Sequence, residues 1–249
     1  MIDAFLSYVH QTDSTNDDMM RRVLEGAPHG AALYAGTQTQ GRGRQGRPWA
    51  GAPDQNLALS VAIVGERYAP HLSLIPLAVG VAMAEMIEAL YEISVQLKWP
   101  NDLLLDGRKL AGILCEGVHQ GTRFKGAVVG VGVNLNMTDE DFEGAQLPDA
   151  TSVRVVTGRT VDVQSFAERA RLRIVAEIDA LLDGGKTQLL TRWQTRDVTH
   201  GRRVHILLDD SIGIAEGVDR DGALLVRQDD GTLRSVRSGE VHLLKPSSD

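Results

Sequence analysis

One cysteine, Cys115, in 249 residues leaves no internal disulfide, so a reducing cytoplasm is the expected setting. Basic residues are in deficit: 26 lysines and arginines against 33 acidic residues give a net charge of −7. Generic nucleic-acid surfaces carry a basic excess, so no nucleic-acid partner is expected. Long apolar runs are missing as well. The most apolar stretch, 72–90, is interrupted by Pro76, Glu85 and Glu88. It reads as a buried helix, and no membrane partner is expected. Residues 1–4 hold no basic region ahead of an apolar segment, so no signal peptide is expected. The seven histidines never pair at helical spacing with a glutamate, which argues against a zinc site. No Gly-x-Ser-x-Gly elbow exists, so serine-hydrolase chemistry has no support.

What is present is a chain long enough for one large domain and a small one. Its most informative segment is 38–49: Gln38, Thr39, Gln40, Gly41, Arg42, Gly43, Arg44, Gln45, Gly46, Arg47, Pro48 and Trp49. Glycine permits close backbone approach and positive φ. Arginine offers a permanent charge and a planar fork of donors suited to phosphate and carboxylate. Such a loop suits a polyanion. Its concentration of arginine on an acidic protein favours a small anionic ligand over a long nucleic-acid backbone.

Periodicity places strands at 5–9, 31–35, 56–63, 95–99, 103–105, 109–118 and 124–135. It places helices at about 14–25, 72–91, 167–182 and 189–193. After about His200 the texture changes to short alternating strands with turns at Asp209-Asp210, Asp221-Gly222 and Asp230-Gly231, the pattern of a small β-barrel. The fold class expected is therefore α/β (α+β). A mixed sheet with packed helices fills residues 1–198, and a small β domain fills 199–249.

Three motifs invite functional readings that their contexts oppose. Gly41, Gly43 and Gly46 match a dinucleotide fingerprint, but Pro48, Gly51, Pro53 and Asp54 follow where a helix should open. Residues 180–187 resemble a degenerate phosphate loop, yet they end an amphipathic helix, where Gly184-Gly185 reads as a C-cap. Cys115 sits in a strand with no partnered histidine nearby and reads as a small buried hydrophobe.

Five segments then converge: 13–16 (Asp-Ser-Thr-Asn), the Gly/Arg loop to Trp49, 98–102 (Lys-Trp-Pro-Asn-Asp), 107–116 (Gly-Arg-Lys-Leu-Ala-Gly-Ile-Leu-Cys-Glu) and 130–136 (Gly-Val-Gly-Val-Asn-Leu-Asn). In this order and spacing they closely resemble the bacterial biotin–protein ligases, over almost the whole chain. The resemblance implies an SH3-like C-terminal domain, biotin and ATP as substrates, Mg²⁺, and a biotin carrier protein as partner. It implies biotin contacts from Ser14, Thr15, Asn16, Gln38, Arg42, Gly43, Arg44, Lys98 and Gly112. It implies ATP contacts from Arg42, Arg44, Arg47, Trp49, Lys98, Gly132 and Asn134. Catalysis falls to Lys98, Arg44 and Arg42. Metal ligands are not assigned, and Asp102 reads as structural.

Gln45 stands where many members carry arginine. The first catalytic strand begins so close to Met1 that no preceding helix-turn-helix, and no operator binding, is expected. A homodimer through an exposed sheet edge is compatible with the sequence. The rivals are a lipoate ligase or acyl transferase on a similar scaffold and an Arg/Gly-loop nucleic-acid binder.

Overall fold

The structure, a computed structural model, describes residues 5–244. Its larger unit is a seven-stranded sheet in the order β1-β2-β3-β7-β6-β5-β4. The strands are β1 (Leu6–Thr12), β2 (Ala32–Gln38), β3 (Leu57–Val64), β4 (Gln96–Lys98), β5 (Asp102–Leu105), β6 (Arg108–Gln120) and β7 (Arg123–Val133). β1 and β2 run parallel, and the other neighbours are antiparallel, so the sheet is mixed, as expected.

Helix α1 (Thr15–Leu24) crosses from β1 to β2 and lies on one face of the sheet, burying Met19 and Val23 against Leu33, Ala62 and Val128. Helices α2 (Ile75–Tyr91) and α5 (Val163–Ala180) cover the other face, and α6 (Lys186–Gln194) packs on α2. α2 is apolar nearly all round, as a helix packed between a sheet and two helices must be. Trp193 of α6 sits so close to Gly80 that a Cβ there would stand 3.2 Å from the indole.

Two short helices, α3 (Asp139–Gly144) and α4 (Val153–Thr157), were not expected. Each is a turn or so long, too short to register as periodicity. α3 is set by a capping box between Thr138 and Asp141, and α4 by the Ser152 hydroxyl accepting from Val155 N. α5 begins earlier than expected because Asp162 caps it. Its C-cap is Leu181 and not the glycine pair: Gly184 lies in the following turn, and Gly185 caps the start of α6.

The smaller unit is a five-stranded antiparallel sheet, β11-β10-β9-β8-β12, with β8 (Arg203–Ile206), β9 (Ser211–Val218), β10 (Leu224–Gln228), β11 (Leu233–Val236) and β12 (Val241–Leu243). It is docked on the larger unit. The Trp99 indole N–H donates to Gly222 O at 3.0 Å, and Trp99 N donates to Thr199 Oγ1 at 3.0 Å. The chain at 196–198 also runs beside β4, with Leu97 N donating to Arg196 O and Val198 N to Leu97 O. No helix among the described residues is long and apolar enough to cross a membrane.

Candidate functional site

The floor of the main cleft is made of glycines on neighbouring strands. Gly112 of β6 pairs directly with Gly132 of β7, and Gly130 lies two residues before it on the same face. A Cβ on Gly132 would stand 2.2 Å from the Trp49 indole, and one on Gly130 would stand 2.4 Å from Asn16 Oδ1. The glycines therefore make room for two side chains that cover the floor. The space left in the cleft is about 150 Å³, small beside the several hundred Å³ of common ligand pockets. The Gly/Arg loop, with Trp49 laid on the floor, occupies the remainder.

One wall is the N-terminus of α1. Ser14 is its N-cap, its hydroxyl accepting from Asp17 N at 3.4 Å. Gln38, at the end of β2, accepts through Oε1 from Thr15 N at 2.8 Å and from the Thr15 hydroxyl at 3.0 Å. Buried Ser60 stands 2.8 Å from Thr15 Oγ1 and 2.6 Å from Asn16 Oδ1. Three donors, Thr15 N–H and the two hydroxyls, thus face three acceptors, Gln38 Oε1, Thr15 Oγ1 and Asn16 Oδ1. Thr15 Oγ1 and Asn16 Oδ1 each keep a lone pair that these donors do not fill, which suits a ligand that brings its own N–H groups. Asn16 Nδ2 donates onward to Glu116 Oε2 at 2.7 Å.

The opposite wall is cationic. Lys98 ends β4, and its side-chain ammonium has no hydrogen-bond or ion-pair partner among the described residues. Burial pushes its ammonium below the usual lysine range; Asp102 opposes the shift, while Lys109 and Arg47 reinforce it. Burial likewise lowers the Arg44 guanidinium, with Asp102 opposing and Arg47 reinforcing. Arg44 donates to Asn101 Oδ1 at 3.3 Å. Asp102 itself is held by Lys109 Nζ at 2.7 Å, and that ammonium stands 5.9 Å from the Trp49 ring centre. Four cations (Arg44, Arg47, Lys98, Lys109) line this end against two carboxylates, Asp102 and Glu240. An anionic ligand offsets that imbalance.

The expected site residues thus converge, with one exception. Ser14, Thr15, Asn16, Gln38, Arg42, Gly43, Arg44, Arg47, Trp49, Lys98, Gly112 and Gly132 all line one cleft. Asn134 does not: it is buried outside the lining, its amide spent on Asn56 Nδ2 and Lys109 O. Arg42 points along the rim, paired with Asp17 and, at 3.5 Å, with Glu116. Arg47 reaches across to the smaller unit, where Nη1 donates to Glu240 Oε1 at 2.6 Å and the second arm of the fork engages Oε2.

Sequence reasoning missed Ser60, Asn101, Glu116 and Glu240. Ser60 is a polar residue inside an apolar strand, a signal that was there to find. Glu240 lies 193 residues from Arg47 and gave none.

Comparison with known proteins follows the same outline. The model of the Biotin/lipoate A/B protein ligase family matches residues 8–134, and that of the Biotin protein ligase C terminal domain matches 199–244. The chain is similar to the biotin–[acetyl-CoA-carboxylase] ligase of Mycobacterium tuberculosis, at 34% identity over 96% of this chain and 89% of that protein. It is similar to the bifunctional ligase/repressor BirA of Escherichia coli, at 33% identity over 93% of this chain and 71% of that one. The biotin protein ligase of Aquifex aeolicus, solved in complex with biotin and ATP, superposes with a TM-score of 0.78 at 26% identity, covering 98% of this chain and 100% of that one.

Proposed function

Because the chain belongs to the Biotin/lipoate A/B protein ligase family, we propose that it is an ATP-dependent biotin–protein ligase, with a catalytic unit over 1–198 and an SH3-like unit over 199–249. It activates biotin as biotinyl-5′-AMP and then transfers biotin to a lysine of a carrier protein of the acetyl-CoA carboxylase type. The observation that carries this reading is one cleft with an acceptor-bearing polar wall facing a wall of under-neutralised cations.

In the first step a carboxylate oxygen of biotin attacks the α-phosphorus of ATP, and the bond to pyrophosphate breaks. Two anions must meet, so their repulsion has to be offset. Lys98 is suited to this, because its unpaired ammonium can reach a carboxylate and an α-phosphate together. Charge gathering on phosphoryl oxygens then strengthens the contact in the transition state. Arg44 supports the same oxygens. Arg42 and Arg47 contribute after exchanging their carboxylate partners for phosphate. The ureido N–H groups of biotin donate to lone pairs left free in the Gln38–Thr15–Ser60–Asn16 network. Trp49 moves with its loop to cover the adenylate and exclude water. Asn134 acts from behind the floor, by holding the Lys109 backbone. In the second step the acceptor lysine amine attacks the biotinyl carbonyl, an amide forms, AMP leaves and the amine gives up a proton.

Mg²⁺ enters as the companion of the triphosphate. No group of three or more metal-ligating side chains occurs among the described residues, and the cleft carboxylates Asp102 and Glu240 are held by Lys109 and Arg47. The cytoplasm is the proposed site of action, and the outer edge of β1 is the surface through which a homodimer would pair.

The test is exchange of labelled pyrophosphate into ATP, which needs the first step alone. Exchange that requires biotin and is not supported by lipoate bears the proposal out. Exchange supported by lipoate, or by neither acid, refutes it.

A further inference from the structure

A second cavity, of about 370 Å³, opens beside the N-terminus of α5 and is lined in part by Tyr8, Tyr34, Asp54, Asn136, Asp162 and Gln164. It shares none of its lining with the cleft described above. Tyr34 is 8% exposed, yet its hydroxyl has no hydrogen-bond partner among the described residues. The hydroxyl oxygen itself stays open to solvent, so a ligand in the cavity would take the place of water on it.

The surroundings define what that ligand is. The rings of Tyr8 and Tyr34 lie 5.0 Å apart at 44°, forming a corner of two aromatic faces. The Tyr8 hydroxyl donates to Asp54 Oδ1 at 3.2 Å. Asp162 caps α5, and its hydrogen bonds from Ser165 hold its carboxyl below the usual range, so it is ionised at neutral pH. Burial raises both phenols, Asp54 adding to the shift at Tyr8, and Tyr8, Asp162 and Glu168 adding at Tyr34. Both therefore stay neutral and protonated. No lysine or arginine lines the cavity. Two aromatic faces, two carboxylates and a free phenol oxygen are complementary to a cation that carries N–H donors.

We propose that this cavity is a binding site for a small free organic cation with an ammonium or guanidinium head, seated between Tyr8 and Tyr34 and paired with Asp54 and Asp162. Its position gives it a hold on the Gly/Arg loop. Asp54 is where the loop returns to the sheet: Asp54 N donates to Gly36 O at 2.9 Å, two residues before Gln38. A Cβ on Gly36 would stand 2.2 Å from Asp54 Oδ1, so the carboxylate rests directly on the bare backbone of β2.

Agmatine is the probe, with 1-pentanol as an uncharged control, titrated into the full chain carrying ring-labelled tyrosine and followed by NMR. The chain has four tyrosines, so Tyr8 and Tyr34 are separately assignable. Saturable shifts of both with agmatine, and none with pentanol, are expected. Asp54→Asn keeps a residue tolerant of the left-handed backbone found there (φ 56°) while removing the charge, and should weaken binding by about tenfold. Tyr34→Phe should weaken it by about threefold with the melting temperature kept. Gly36→Ala, which displaces the carboxylate, should abolish it. No saturation, equal response to pentanol, or equal affinity in Asp54→Asn would overturn the proposal. Because binding is read without biotin or ATP, its failure leaves the ligase reading standing, and failure of pyrophosphate exchange leaves this site standing.

Discussion

The two faces of the seven-stranded sheet are written by the same strands and come out opposite. On β7, Val129, Val131 and Val133 point to α2 and its neighbours and are fully covered. The alternate residues are Val128, Gly130 and Gly132. The first still packs under α1, and the other two mark where helix cover ends and the cleft begins. Along one strand, then, the second face passes from packed core to open floor by loss of side chains. The covered face sets stability; the bare one admits Asn16, Trp49 and a ligand.

The contrast breaks most sharply at Lys98. Lys98→Met should lower biotin-dependent pyrophosphate exchange by about a thousandfold, about 4 kcal/mol of transition-state stabilisation, while the melting temperature holds. On the covered face, Ile63→Ala should do the reverse. It should cost about 2–5 kcal/mol of stability, read by denaturant unfolding, with activity per folded molecule unchanged. On the bare face, Gly132→Val puts carbon where Trp49 lies and should raise KM for ATP by about tenfold, read by initial rates. Ser60→Ala bridges the two behaviours. It should cost about 1–2 kcal/mol of stability and weaken biotin binding several-fold by calorimetry.

A pH series sharpens the same comparison. The folded Lys98 ammonium sits below its ordinary value of 10.5. The alkaline limb of kcat/KM, which reports the free enzyme, should therefore fall at a pH lower than that value. Stability moves the other way. Between the depressed folded value and the unfolded one, the unfolded chain holds the extra proton, so stability rises with pH across that window. Lys98→Met should remove this contribution. The smallest effect is expected at Glu240→Gln: its pair with Arg47 is half-exposed and worth under about 1 kcal/mol, so KM for ATP should move by no more than a few-fold.

Much of this was legible in the sequence because it is local. The strands flanking the Gly/Arg loop are short apolar runs, a cap at Asp13 or Ser14 precedes a periodic helix, and the glycines at 112, 130 and 132 stand in apolar strands where only a close approach explains them. What was not legible depends on distance. Nothing near Glu240 points to Arg47, and nothing near Tyr34 points to Asp162. The role of Gly130 and Gly132 also needed the fold: their bare faces accommodate side chains of this chain before any ligand. Asn134 shows the limit of reading by motif, since its amide is consumed within the scaffold.

A crystal structure of the chain with a non-hydrolysable biotinyl-adenylate analogue tests the central claim most directly. The account predicts the analogue on the glycine floor, its phosphate within hydrogen-bond reach of Lys98 Nζ and Arg44, and Arg47 released from Glu240. An analogue bound with Lys98 and Arg44 turned away from its phosphate would contradict it.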